Sequence, residues 1–310
     1  MRRLAAALAA LVLATGLAAC GENEERDASQ QPQGATLRVT IGTQEFPEAR
    51  ILGELWRQAL AVNGYTVNLR KGVGPAADLD EALKDGDIDG YVAYTGTVLS
   101  IVAGEEVSGL DPKETYRQAK AFYADQDMVM SAMTPFQNKD AIATTTTYAE
   151  ENDLSSIEDL ADVDSVVIGA RPEFEDLQLG FAGLQDVYGL DEATFTPIEL
   201  GAQYDALDSG EATAVDAFTT DPQLESGDYT LLDDPELLFG SQNVVMVVGK
   251  DKLDSIDDEA FMNVVDTVNA QLSEDAMVAM NAKVTSGQTD ELVAREFLRS
   301  VGLDKPLRGN

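Results

Sequence analysis

A 17-residue segment occurs twice in this chain, and the repetition limits the folds that the chain can adopt. Residues 81–97, EALKDGDIDGYVAYTGT, correspond to residues 205–221, DALDSGEATAVDAFTTD, at an offset of 124 positions. Each copy has the pattern of an amphipathic helix that ends at a glycine (Gly86 or Gly210), an acidic turn and a short strand. The repeat therefore predicts two similar α/β units in one chain.

Both predicted strands end in an aromatic residue followed by threonine. These pairs are Tyr94-Thr95 in the first copy and Phe218-Thr219 in the second. In open α/β sheets, ligands bind just beyond the carboxyl ends of the strands. We therefore expect the two aromatic side chains to face one gap between two lobes.

Hydrophobic periodicity continues the α/β pattern from residue 36 to residue 301. The order strand, helix, strand, helix, strand at its beginning predicts parallel pairing with right-handed crossovers. Residues 128–135 are interpreted as a linking stretch. Strands are predicted at 36–42, 65–70, 90–94, 141–144, 166–170, 195–199 and 244–249, and the predicted helices include 47–61, 78–84 and 177–188.

The predicted elements form a middle block that is flanked on both sides by residues of another block. We expect lobe 1 to comprise residues 36–137 together with 243–310, and lobe 2 to comprise residues 138–242. The chain would then cross between the lobes twice, and both termini would belong to lobe 1. This is the plan of a hinged binding protein that closes on a ligand.

The first 19 residues have the form of a secretory signal, with Arg2 and Arg3 before a short run rich in alanine and leucine. The Leu-Ala-Ala-Cys sequence that ends at Cys20 resembles the bacterial lipobox, which implies cleavage before Cys20 and a lipid on its sulfur. Such an anchor would hold the protein at the outer face of the cytoplasmic membrane. Residues 21–35 are polar and aperiodic, as in a flexible tether.

Composition excludes several classes of function. The chain has 21 lysines and arginines against 56 aspartates and glutamates, a formal net charge of −35, which disfavours nucleic acid as a partner. It has no histidine, so the usual general base and the commonest zinc ligand are missing, and we expect no metal site and no cofactor. An enzyme would have to use carboxylates, for example a glycosidase-like pair among Glu173, Glu175 and Asp176. We consider an enzyme unlikely on these grounds.

Four segments of the chain form recognisable motifs, namely 42–53 (GTQEFPEARILG), 94–97 (YTGT), 216–221 (DAFTTD) and 294–298 (AREFL). Together they resemble the substrate-binding proteins of ABC importers for glycine betaine, choline, carnitine and related osmoprotectants. The resemblance implies a type II, periplasmic-binding-protein-like α/β fold of two lobes with a ligand cleft between them. It also implies that a small solute is captured in the cleft and delivered to the permease subunits of an ABC transporter.

The same resemblance implies candidate ligand-binding residues. Tyr94 and Phe218 stand at positions of an aromatic cage that holds a quaternary ammonium group by cation–π attraction. Further candidates for polar contacts or charge are Gln44, Thr97, Asp140 and Gln242.

Three positions depart from the family pattern. Ala141 and Gln242 stand where cage tyrosines are expected, and Leu177 stands where an arginine pairs with the carboxylate of the ligand. A buried carboxylate without a partner is costly, so we expect a ligand that lacks one, or a larger polar amine. Two alternatives remain open, namely the same fold with a rebuilt specificity and a sensor that does not transport.

Overall fold

Ten β-strands form two five-stranded sheets in the part of the chain that the computed structural model describes, residues 37–307 without 200 and 257. The predicted signal segment, Cys20 and the tether lie outside the described residues. The first sheet contains β1 (Arg38–Gly42), β2 (Thr66–Arg70), β3 (Gly90–Tyr94), β4 (Met128–Met130) and β10 (Val244–Gly249). The second sheet contains β5 (Asp140–Thr145), β6 (Val167–Ala170), β7 (Thr194–Pro197), β8 (Ala214–Phe218) and β9 (Tyr229–Leu232).

The two sheets have the same topology. Their strand orders are β2-β1-β3-β10-β4 and β7-β6-β8-β5-β9. In each sheet the first three strands are parallel, as predicted for the first sheet, and the last two alternate in direction. The strands of the repeated segment, β3 and β8, occupy the centre of their sheets, so the repeat builds equivalent parts of two similar halves. We call each sheet with its helices a lobe, and the exact boundaries of the lobes stay a prediction.

The helices cover the sheets and begin where the sequence offers suitable caps. The first helix starts at Pro47, whose fixed φ suits a first helical position. The fourth starts after Asp111, whose carboxylate accepts the N–H groups of Lys113 and Glu114. The α-helices are α1 (Pro47–Val62), α2 (Ala76–Lys84), α3 (Thr95–Thr97), α4 (Pro112–Ala124), α5 (Thr146–Glu151), α6 (Phe181–Tyr188), α7 (Gln203–Ser209), α8 (Lys250–Asp254), α9 (Asp258–Asn269), α10 (Glu274–Thr285) and α11 (Asp290–Ser300). A π-helix covers Val98–Ala103, and 3₁₀ helices cover Ile157–Asp162, Pro172–Phe174 and Pro222–Ser226.

Two local predictions were wrong. Met128–Met130, taken as part of a linking stretch, is an edge strand that pairs with β10. Its three residues are too few to reveal a period in the sequence. Helix α6 begins at Phe181 rather than at residue 177, because Leu177 and Gly180 close a turn through a backbone hydrogen bond of 3.0 Å.

Two segments carry the chain between the lobes, from β4 to β5 and from β9 to β10. They are joined by an isolated antiparallel bridge between Gln137 and Asn243. The backbone N–H of Gln242 also donates to Oε1 of Gln137 at 3.0 Å, and the N–H of Asn138 donates to the carbonyl of Gln242 at 3.1 Å. The two crossings therefore run side by side as one hydrogen-bonded unit. Within the described residues, no helix has both the length and the apolar composition of a membrane span.

Candidate functional site

A cavity of about 420 Å³ lies between the lobes, beside the two crossings. It is lined by Gln44, Phe46, Pro75, Ala76, Tyr94, Thr97, Ile101, Asn138, Lys139, Asp140, Phe218, Phe239 and Gln242. All six residues that the sequence singled out as ligand contacts are among them. The structure thus brings together positions that are up to 198 residues apart in the chain.

Strand ends place the predicted residues at this cavity. Tyr94 is the last residue of β3, and Phe218 is the last residue of β8, its counterpart in the other lobe. Gln44 follows β1, which is parallel to β3. Asp140 begins β5 and lies opposite Phe218, because β5 and β8 are antiparallel. The expectation that both aromatic residues of the repeat face one gap is therefore confirmed.

Four aromatic side chains line the cavity, of which sequence reasoning named two. The rings of Phe46 and Tyr94 lie 5.9 Å apart, centroid to centroid, at an angle of 38°. Phe239 is 5% exposed and stacks on Phe174 at 6.2 Å. Phe46 and Phe239 were missed although they lie close to predicted site residues, two residues from Gln44 and three from Gln242.

Tyr94 is fixed by a buried carboxylate. Its side chain is 5% exposed, and its hydroxyl donates a hydrogen bond of 2.9 Å to Oε1 of Glu48. Burial raises the pKa of Tyr94 well above its usual value, and the carboxyl of Glu48 raises it further. The phenol therefore stays neutral, and its ring is held in one orientation at the cavity.

Thr97 and Gln242, which both line the cavity, are joined by hydrogen bonds. Oε1 of Gln242 accepts hydrogen bonds from the backbone N–H of Thr97 at 2.9 Å and from its hydroxyl at 3.2 Å. Gly96 makes this approach possible, because a Cβ at that position would lie 2.5 Å from the carbonyl oxygen of Ser241. The carboxamide of Gln242 thus joins the end of β3 to the second crossing through its oxygen.

Both charged residues in the cavity lining have ionic partners. Nη1 of Arg171 lies 3.0 Å from Oδ1 of Asp140 and also pairs with Asp216. Nζ of Lys139 lies 3.2 Å from Oδ2 of Asp234. Burial, followed by the nearby carboxyl of Asp140, raises the pKa of Asp216 well above its usual value. The negative charge of Asp140 is therefore compensated within the protein.

Arg171 was also missed by sequence reasoning; it does not line the cavity itself but pairs with Asp140, which does. It directly follows β6, at the carboxyl end of a parallel strand, and this position was the available signal. Leu177, expected in place of a ligand-pairing arginine, is 42% exposed and does not line the cavity. Ala141 is buried in β5 opposite Ala217 and does not line it either.

The carboxylates considered for catalysis lie away from the cavity. Glu173, Glu175 and Asp176 are exposed, and none of them belongs to the cavity lining. Among the described residues, no group of three or more acidic or cysteine side chains is arranged to hold a metal ion.

Known proteins are similar to this chain in sequence and in structure. The family described as OpuAC, substrate binding domain of ABC-type glycine betaine transport system, matches residues 38–300. A curated relative from Helicobacter pylori (strain G27), the ergothioneine transport permease/ergothioneine binding protein EgtU, is 22% identical over 268 residues, covering 86% of this chain. The chain spans about half of that relative, 48% of its length.

Two solved structures share the fold over most of the chain. A glycine betaine/carnitine/choline ABC transporter structure superposes with a TM-score of 0.80 at 23% identity, covering 86% of this chain and 100% of the other. Apo YehZ from Escherichia coli superposes with a TM-score of 0.75 at 21% identity, covering 86% and 99%.

Proposed function

The chain belongs to the family of substrate-binding domains of ABC-type glycine betaine transport systems, and we propose that it binds a small cationic or zwitterionic solute between its lobes and delivers it to the permease of an ABC importer. Members of this family bind solutes outside the cytoplasm and are not enzymes. The observation that carries the proposal is the cavity of about 420 Å³, where residues from both lobes converge around four aromatic rings.

The lining of the cavity suits a quaternary ammonium group. Such a group has no N–H to donate, so aromatic faces attract it better than hydrogen-bond acceptors do. Tyr94 and Phe46 offer rings from lobe 1, and Phe218 offers one from lobe 2. The relative from Helicobacter pylori is named for ergothioneine, a quaternary amine that also carries a carboxylate, so ergothioneine belongs among the solutes to test.

The charge pattern favours a solute without a carboxylate. Arg171 already pairs with Asp140 and Asp216, so the carboxylate of a ligand would have to compete for this guanidinium. Gln44, Thr97 and Gln242 provide neutral polar contacts instead. We therefore expect choline-like cations to bind more tightly than glycine betaine.

A thermal-shift screen followed by titration calorimetry tests the proposed function. The solutes are choline, glycine betaine, carnitine, ectoine, ergothioneine, polyamines and amino acids. A ligand at about a hundred times its dissociation constant stabilises the folded state by roughly 2.7 kcal/mol, which raises Tm by several degrees. A response only to solutes without a cationic group would contradict the proposed ligand class.

Tyr94→Ala is the matching variant for any solute that binds. Loss of a desolvated cation–π contact of about 2 kcal/mol weakens binding roughly thirtyfold. Tyr116→Ala is the control, since Tyr116 is a partly buried tyrosine of the same lobe outside the cavity lining. If Tyr94→Ala and Tyr116→Ala bind the solute equally tightly, the solute does not contact Tyr94 and must bind outside this cavity. Tight binding without permease-dependent uptake would favour a sensor.

We further propose that the mature protein is anchored to the outer face of the cytoplasmic membrane through a lipid on Cys20. In a bacterial host, Cys20→Ser is expected to abolish incorporation of labelled fatty acid and to move the protein from the membrane fraction to the soluble fraction. Labelling that persists in this variant would contradict the anchor.

A further inference from the structure

A second cavity, of about 350 Å³, adjoins the first. The two share a wall of three side chains, namely Phe46, Asn138 and Phe218. The second cavity lies between the start of α1, the helix α10 and the segment that follows β8. Its other lining residues are Pro47, Glu48, Thr220, Asp221, Pro222, Asn281 and Thr285.

Glu48 gives this cavity a buried carboxylate whose hydrogen bonds come from neutral groups. The residue is 3% exposed. Oε1 accepts from the hydroxyl of Tyr94 at 2.9 Å and from Nδ2 of Asn138 at 3.0 Å. Oε2 accepts from Nδ2 of Asn281 at 3.1 Å. Within the described structure no lysine or arginine forms an ion pair with it, so its charge lacks the compensation that buried carboxylates usually have.

The cavity lining offers further acceptors beside Glu48. Asp221 accepts from the backbone N–H of Phe218 at 3.0 Å and from the hydroxyl of Tyr204 at 2.9 Å, which are both neutral. Asn281 is 7% exposed, and its Oδ1 accepts no hydrogen bond from any described group. Oδ1 of Asn138 is unpaired in the same way. No lysine or arginine belongs to the lining.

We propose that the subsite for the positively charged group of the bound solute lies where the two cavities meet, between the rings of Phe46 and Phe218, with Glu48 of the second cavity as its counter-charge. Coulomb attraction to the carboxylate and the faces of the two rings act on the same group. The inference rests on the proposed function, because Tyr94 and the polar contacts for the rest of the solute lie in the first cavity. The ligand class is therefore an amine whose cationic head reaches the edge of the second cavity while its polar tail stays in the first.

Two variants test the subsite by different means. Glu48→Gln removes the charge and keeps the size of the side chain, and its control is Glu45→Gln, an exposed glutamate in the loop just before α1. Thr285→Trp fills the second cavity from the exposed end of α10, and its control is Ser300→Trp at the exposed end of α11. The tryptophan variant leaves the buried network intact, so it keeps the test valid if Glu48→Gln does not fold.

The first probe is tetramethylammonium chloride, compared with sodium chloride at equal concentration by thermal shift. We expect a rise in Tm for the unaltered protein and both controls, and its loss in Glu48→Gln and Thr285→Trp. The second probe is whichever panel solute binds, for which the two subsite variants should lose at least tenfold in affinity.

The outcomes separate the subsite from the proposed function. If a panel solute depends on Tyr94 but binds to Glu48→Gln and Thr285→Trp as tightly as to the unaltered protein, the subsite is wrong and the proposed function stands. If no panel solute binds while tetramethylammonium stabilises the protein through Glu48, the cation site stands without the transport role. If tetramethylammonium has no effect beyond that of sodium, the subsite is overturned.

Discussion

The guanidinium of Arg171 balances two carboxylates on the lobe 2 side of the first cavity. One of them, Asp216, is 4% exposed in the central strand β8. The other, Asp140, reaches the cavity. Removing one partner of a buried ionic group leaves the other charge without compensation, which costs about 3 kcal/mol or more. Arg171 therefore supports the stability of lobe 2 as well as the electrostatics of the site.

We expect Arg171→Gln to lower the free energy of unfolding by about 3 kcal/mol in urea titrations. Adding Asp216→Asn should restore part of the loss, because the second change removes the carboxylate that the first leaves unpaired. Two additive effects in this double-mutant cycle would mean that the pair is not coupled.

The pH dependence of the unfolding free energy should show that burial raises the pKa of Glu48. Burial raises its pKa from the usual 4.5, despite hydrogen bonds from Thr220, Asn138, Asn281 and Tyr94. The folded state thus holds the proton more tightly than the unfolded state does. The resulting stabilisation is complete below 4.5 and is lost as the pH rises through the folded-state pKa.

Glu48→Gln isolates this effect, since its side chain does not titrate. The neighbouring acids Glu274 and Asp221 contribute to both proteins, and no basic residue lines this cavity. We expect the unfolding free energy of the unaltered protein, relative to that of Glu48→Gln, to fall as the pH is raised above about 4.5. A relative stability that increases with pH would show that the folded structure favours the ionised carboxylate.

At the scale of elements, the repeated unit depends on one glycine in each copy. Gly86 and Gly210 have φ of +76° and +73°, and an added Cβ would meet no atom within 4 Å at either position. An alanine at either position would therefore lower the stability only because it disfavours the left-handed backbone conformation, and not through a steric clash. Gly249 is a useful comparison, because its φ of −64° suits any residue.

We expect Gly86→Ala and Gly210→Ala to destabilise the protein by about 1 kcal/mol each, and Gly249→Ala to cause no loss. Urea titrations of the three variants provide the comparison. Clearly unequal costs at Gly86 and Gly210 would mean that the two turns are not equivalent.

The repeat and the hydrophobic period predicted the central strands, and the strand-end rule predicted that Tyr94 and Phe218 meet at one cavity. The other four predicted cavity residues came from the family resemblance.

Phe46 and Phe239 escaped prediction because packing brings their segments to the cavity, and Arg171 because it acts on the cavity only through its ion pair with Asp140. Sequence alone does not state which side chain of a loop turns inward. The sequence did not predict the two cavities. It did not predict the role of Glu48 either, because a glutamate in the first turn of a helix is common and is explained by its favourable interaction with the helix dipole.

At the scale of the whole molecule, α10 supplements the two crossings as a link between the lobes. Nδ2 of Asn281 donates both to Oε2 of Glu48 at 3.1 Å and to the backbone carbonyl of Thr220 at 2.9 Å. Glu48 begins α1 in lobe 1, whereas Thr220 follows β8 in lobe 2. One side chain of α10 therefore contacts both lobes at the edge of the second cavity.

The position of β10 implies that lobe 2 can fold before lobe 1. The strands of lobe 2 are consecutive, whereas β10 lies between β3 and β4 and is the last strand in the described part of the chain. A fragment that ends at residue 243 is therefore expected to protect the amides of β5, β6 and β8 from hydrogen exchange, and to leave β3 and β4 unprotected. Because synthesis starts at the amino terminus, lobe 2 can fold while lobe 1 still lacks β10. The lobe that carries Gln44, Tyr94 and Thr97 is thus completed last, so the first cavity forms only when nearly all of the chain has been made.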